Sequence, residues 1–300
     1  MRMKTLLAVM LLLLSPALSP ARAAAPEKLP VIASFSILGD FVREIGGEKV
    51  SVGLLVGPNG DAHVFQPTPA DAQALKKAKL IVINGLGLEG WMTRLIASSG
   101  AKAPVVVATK GVTPREGEED GHKGVDPHAW QSIANARIYV ANIREGLTAV
   151  DPADADYFKT RADKFLARLD ETERAVRAGI AEIPEANRRI VTTHDAFGYF
   201  GAAYGFEFIA PVGLSSDAEP SARDIAKLIG QIKAEHVPAV FLENISDPRL
   251  MQRISQESGA RIGGSLFSDA LSTGEGPAPT YIDMMTHNID ELKKALIPHS

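Results

Sequence analysis

The sequence predicts an α/β protein: two lobes with mostly parallel sheets, joined by one long rigid helix. Three observations carry this. Short apolar strands alternate with amphipathic helices early in the chain, the alternation returns late, and an unbroken helical stretch of about 30 residues lies between. A length of 300 residues suits two domains. With 45% hydrophobic and 23% charged residues, the chain is neither disordered nor a polytopic membrane protein.

The first residues stand outside the alternation. Arg2 and Lys4 precede an apolar run over 6–14, Ser15-Pro16 breaks it, and Ala21-Arg22-Ala23 offers small residues where a signal peptidase reads. The run is far shorter than the ~20 residues of a membrane span. Residues 1–23 are therefore expected to be a secretory signal peptide. Without Arg2, Lys4 and Arg22 the formal charge moves from −4 to −7, which gives a nucleic-acid partner no electrostatic support. The chain has no cysteine for a disulfide, a thiolate metal site, a catalytic thiol or a lipid anchor. A soluble protein of the periplasm is expected.

In the first lobe, 24–150, residues 31–37 read as a strand and 40–45 as a helix. Val50–Val56 is a strand, 69–78 a helix, and 80–84 and 105–109 are strands flanking a helix near 91–98. The linking helix, 151–184, starts at Asp151-Pro152, a cap followed by proline. Phe158, Ala162, Phe165, Leu169, Thr172, Val176 and Ile180 recur at three and four, and Pro184 ends it. At 1.5 Å per residue such a helix is roughly 45 Å long, more than a crossover needs. In the second lobe, 185–300, the strands are 189–193, 206–211, Ala239–Glu243 and Arg261–Leu266. The last helix, 280–296, buries Ile282, Met285, Ile289, Leu292 and Leu296 along one stripe.

Three histidines occupy loops at strand ends or before a helix. His63 closes a turn-rich loop after the second strand, His128 lies in Asp126-Pro127-His128-Ala129-Trp130, and His194 follows the strand over 189–193. Open α/β sheets bind ligands at that edge. Several imidazoles are what a zinc-like ion needs, and Asp269, again after a strand, is the candidate fourth ligand. His236, His287 and His299 lack such a setting. His122 sits in the acidic stretch 116–122, read as a flexible loop that is either a solvated charge run or a lure for divalent cations. The segment Gly85-Leu86-Gly87-Leu88-Glu89-Gly90 matches a dinucleotide fingerprint. It follows the third strand rather than the first, so packing under Trp91 is the expected role.

The motifs Gly60-Asp61-Ala62-His63 with Pro67-Thr68-Pro69, Asn84 to Trp91, Asp126 to Trp130, Thr193-His194-Asp195-Ala196-Phe197-Gly198-Tyr199-Phe200 and Ser265-Leu266-Phe267-Ser268-Asp269 occur in this order. Together they resemble the metal-binding solute-binding proteins of ABC importers, the cluster A-I or ZnuA/TroA-like family. The resemblance covers nearly all of the chain after residue 23. It implies two (β/α)4 lobes with a metal site in the cleft between them, ligated by His63, His128, His194 and Asp269. It implies one Zn2+ per chain as transported ligand, no catalytic residues, and an ABC permease of a zinc importer as partner. A periplasmic zinc chaperone and a monomeric chain complete that picture. Manganese-type members usually have glutamate where this chain has His194, so the resemblance is to the zinc type, with a manganese-specific member as the alternative. With only His122 before the second ligand, the chain resembles the shorter-loop subgroup that includes AztC.

The alternative of another class is a secreted zinc-dependent hydrolase. Catalytic zinc keeps an open position, whereas Asp269 fills the fourth place here. An organic-solute binder would want an aromatic cleft, and only 6% of residues are aromatic. Asp126, Asp195 and Glu243 are candidate acceptors of imidazole N–H bonds. Binding is expected to weaken below about pH 6, as free imidazoles protonate, and the helical strut is expected to keep lobe movements small.

Overall fold

The computed structural model describes residues 27–119, 122–217 and 219–298, so the expected signal peptide and His299 lie outside the described residues. β1 (Leu29–Phe35) is an apolar run with both faces covered, as a central parallel strand requires. It stops two residues before the expected end, because Ser36 and Ile37 already belong to α1 (Ser36–Gly46). That helix turns Ile37, Leu38, Phe41, Val42 and Ile45 into the core. Next come β2 (Val50–Val56) and α2 (Pro69–Lys77), whose first turn is closed by a Thr68–Asp71 capping box. β3 (Leu80–Ile83), α3 (Met92–Ser99) and β4 (Val105–Val107) complete a parallel sheet ordered β2-β1-β3-β4.

Of the acidic stretch expected as a flexible loop, residues 116–119 and His122 lie instead in strands. β5 (Arg115–Glu119) and β6 (His122–Asp126) form an antiparallel ribbon. The dipeptide between them in the sequence, Asp120-Gly121, is a common hairpin signature that the reading as a charge run left out of account. The ribbon leads through a short 3-10 turn into α4 (Ile133–Val150).

α5 (Ala155–Ala181) buries the seven stripe residues named from the sequence. It packs on α1 and α4 and, further along, on the C-terminal helix. It is therefore a backing element of a core that continues from the first sheet to the last helix. In the second lobe β7 (Arg189–Val191), α6 (Gly198–Tyr204), β8 (Glu207–Ile209), α7 (Ala222–Glu235), β9 (Ala239–Glu243), α8 (Arg249–Ser258) and β10 (Arg261–Leu266) build a parallel sheet ordered β10-β9-β7-β8. α9 (Tyr281–Leu296) follows. β7 is shorter than expected because the N–H groups of Thr193 and His194 leave the ladder and donate to the Glu243 carboxylate. Among the described residues no helix is long and apolar enough to cross a membrane.

Candidate metal centre

Each cleft side chain is held by its own loop. The loop after β3 supports two of them. Gly85 has φ 87°, and a Cβ there would meet Val107 at 2.5 Å, so only glycine fits. The buried Glu89 carboxylate accepts from Asn84 N–H at 2.7 Å, Gly85 N–H at 3.1 Å and Ser34 Oγ at 2.6 Å. Amides that could have cradled a pyrophosphate are thus satisfied from within, and burial raises the Glu89 pKa. From this loop Trp91 Nε1 donates to Ala62 O at 2.8 Å beside His63, and Asn84 Nδ2 donates to Pro127 O at 2.9 Å beside His128.

His128 is oriented by Asp126. The Oδ1 atom accepts the His128 backbone N–H at 2.9 Å and lies 2.9 Å from the ring Nδ1, while Oδ2 faces Arg115 Nη1 at 3.2 Å. Placing the ring proton on Nδ1 leaves Nε2 for the cleft. His194 is oriented by Glu243. Its Oε1 accepts the Thr193 and His194 N–H groups at 2.7 and 3.0 Å, and Oε2 lies 2.6 Å from His194 Nδ1. That last contact lets the Glu243 carboxylate hold positive charge on the ring. Asp195 does not play this part: its N–H donates to Gly213 O, and burial, with Asp126 nearby, raises its carboxyl. Trp130 Nε1 and Gln131 Nε2 both donate to Ser268 O, at 2.9 and 2.7 Å, which ties the His128 loop to Asp269.

The four predicted side chains meet. One donor atom from each of His63, His128, His194 and Asp269 lies within 4.8 Å of all the others. Asp269 Oδ2 is 3.2 Å from His63 Nε2 and 3.1 Å from His194 Nε2, and Oδ1 is 3.6 Å from His128 Nε2. Oδ1 is buried without a hydrogen-bond donor. Burial opposes charge on His128, yet Asp269 and then Asp126 outweigh it and hold the imidazole up at about 9. His194 is likewise raised, burial being outweighed by Glu243 and Asp269. Asp269 is held well below the usual carboxylate range: burial would raise it, but His128 and His194 prevail. Such a cluster of convergent imidazoles around one deprotonated carboxylate can exchange protons for a cation.

The remaining described histidines lie elsewhere. His122 is on the ribbon, His236 ends α7 in a left-handed conformation, and His287 lies 3.0 Å from Ser265 O. Sequence reasoning missed Arg115, whose only signal was its place beside the acidic run, and the support from Asn84 and Glu89. Glu243→Gln keeps the Oε1 acceptor but removes the charge behind His194. It is expected to weaken metal affinity by roughly 10–100-fold in chelator competition, with an unchanged far-UV spectrum.

Two parallel-sheet lobes backed by one long helix, with imidazoles and a carboxylate converging in the cleft, define a two-lobed protein with a candidate metal site between its sheets. The chain belongs to the family described as zinc-uptake complex component A, periplasmic, which matches residues 31–295. It is 37% identical to the manganese-binding lipoprotein MntA of Halalkalibacterium halodurans, over 90% of this chain and 89% of that protein. It is 32% identical to the iron-binding protein YfeA of Yersinia pestis, over 89% and 86%. The solved periplasmic zinc-binding protein TroA of Treponema pallidum superposes with a TM-score of 0.86 at 30% identity, covering 91% of this chain and all of that one. Family and relatives are binding components, so the chain is not an enzyme and the hydrolase alternative falls.

Proposed function

We propose that the chain captures a divalent first-row metal ion with His63, His128, His194 and Asp269 and passes it, as cargo, to an ABC permease. The convergence of these donors within 4.8 Å carries the reading. Manganese is the cargo that the relatives support best, the H. halodurans protein foremost. The donor set accommodates it. Both Asp269 oxygens face the cluster, so a bidentate carboxylate supplies three nitrogens and two oxygens, nearer to manganese's liking for oxygen and higher coordination.

Zinc is the second reading, and one observation favours it. Three imidazoles with a carboxylate bound through one oxygen make a closed tetrahedral shell. The two metals separate only partly in vitro, because intrinsic affinity rises from manganese to zinc whatever the cell imports. Purified, chelator-treated protein is therefore expected to bind each metal one-to-one, zinc more tightly. Uptake of radiolabelled manganese and zinc, by cells with and without the chain, decides the cargo. Loss of manganese uptake alone supports the first reading, loss of zinc uptake alone the second, and no saturable binding of either overturns both.

The same proposal takes 1–23 as the export signal and 24–150 and 185–300 as the lobes, linked by 151–184 and acting in the periplasm. The H. halodurans relative is named a lipoprotein, but this chain has no cysteine to carry a lipid. The zinc chaperone, the monomeric state and the kinship with the AztC-containing subgroup rest on the sequence resemblance alone.

A further inference from the structure

Aspartate stands two residues before two of the cleft histidines, in Asp61-Ala62-His63 and Asp126-Pro127-His128. The structure uses the two differently. In both, the aspartate Oδ1 accepts the histidine backbone N–H, at 2.8 and 2.9 Å. Asp126 also meets the ring of its histidine. Asp61 makes no ion pair with the His63 ring among the described residues. Its Oδ2 instead accepts the hydroxyl of Ser216, which lies in the other lobe.

The segment holding Ser216 touches the cleft twice. Val212 bridges to His194 and Gly213 O accepts the Asp195 N–H, four and three residues before the Ser216 contact. His63 is also the outermost of the four. Its side chain is 6% exposed, against 0–1% for the others. A cavity lined by Leu86, Val125, Pro127 and Leu214 opens on it.

We propose that Asp61 and Ser216 form a latch between the lobes that positions His63 and sets the rate at which metal leaves the cleft. The inference rests on the metal-binding reading above. With Ser216 in place both Asp61 oxygens are engaged, which fixes the backbone that aims His63 at Asp269. When the segment carrying Ser216 moves, Oδ2 loses its donor, and a half-buried carboxylate then turns to water or to the neighbouring ring. Either change re-aims His63, so the outermost ligand detaches first and opens the route through the cavity. Asp61 and Ser216 are positioning residues and touch no metal.

The same loop supplies a control. Asn59 N–H donates to Leu271 O at 2.9 Å, and Asn244 Nδ2 donates to Asn59 Oδ1 at 3.2 Å. These bonds also join the lobes, but they do not involve Asp61.

The test is stopped-flow release of cobalt(II) from the loaded full chain into excess chelator, followed by its visible bands. Ser216→Ala is expected to release cobalt about tenfold faster, the worth of a hydrogen bond to a charged group. Its equilibrium cobalt spectrum stays that of the unsubstituted chain, because the donors are unchanged. Ser216→Thr restores the hydroxyl and the slow rate, and Asn59→Gly, which removes only the side-chain bond to Asn244 at a position with φ 55°, releases slowly. Asp61→Ala, which removes both acceptors, releases at least as fast as Ser216→Ala. Equal rates for Ser216→Ala and the unsubstituted chain overturn the latch. So does fast release from Asn59→Gly, which would make lobe contact in general responsible. If the unsubstituted chain takes up no cobalt into a nitrogen–oxygen site, the metal-binding reading fails first, before any variant is compared.

Discussion

Asp269→Asn is expected to lose far more metal affinity than the ~10–100-fold that follows removal of a carboxylate behind a ligand. Asp269 is the sole carboxylate of the cluster and faces all three imidazoles. The variant also reports on the metal-free protein. His128 loses the carboxylate that raises it most, while burial goes on opposing its charge. A histidine with a raised folded pKa contributes stability fully present below its unfolded value of about 6.5, lost as pH rises through the folded value. The destabilisation of the metal-free variant is therefore expected to be largest near pH 6 and to fade by about pH 9. Chelator competition and thermal melts at those two pH values check both parts. An affinity within a few-fold of the unsubstituted chain would sink the assignment of Asp269.

Metal binding is expected to expel protons at neutral pH, and apparent affinity to go on rising to about pH 9. Free imidazoles would confine the loss of binding to the region below about pH 6. In the folded cleft His128 stands at about 9 and His194 is raised too, so the competition with protons moves upward. Each proton released makes affinity rise about tenfold per pH unit. The metal-free chain is expected to lose stability over the same range, because its protonated histidines pair with the buried carboxylates of the cleft. The melting-temperature gap between loaded and metal-free protein should widen from pH 6.5 to 9. Calorimetry in two buffers of different ionisation enthalpy measures the protons directly. A binding heat independent of buffer would refute the expectation.

Much of this was legible in the residues. The stripe Phe158 to Ile180 marked the long helix because a buried face must recur every three to four positions. His63, His194 and Asp269 were picked out by standing just after strands, and His128 by its loop before a helix. Element ends were less legible. Ser36 and Ile37 continue an apolar run and yet begin a helix, since a buried strand and a buried helix face look alike over a few residues. The ribbon over Arg115–Glu119 and His122–Asp126 is hidden in the sequence by a run of charge, which marks a solvated segment without saying whether it pairs.

By itself the sequence determined the alternation of elements, the absence of thiol chemistry, and a supply of imidazoles and carboxylates at the edges of the sheets. These are local properties, set by periodicity and residue chemistry. Only the tertiary structure decided that the four donors meet, that Glu243 rather than Asp195 backs His194, and that Asp61 turns to Ser216 while Asp126 turns to its own histidine. Partners so far apart in the chain are chosen by how two lobes pack. The proton affinity of the cleft follows from that packing too, because it depends on which charges are buried together.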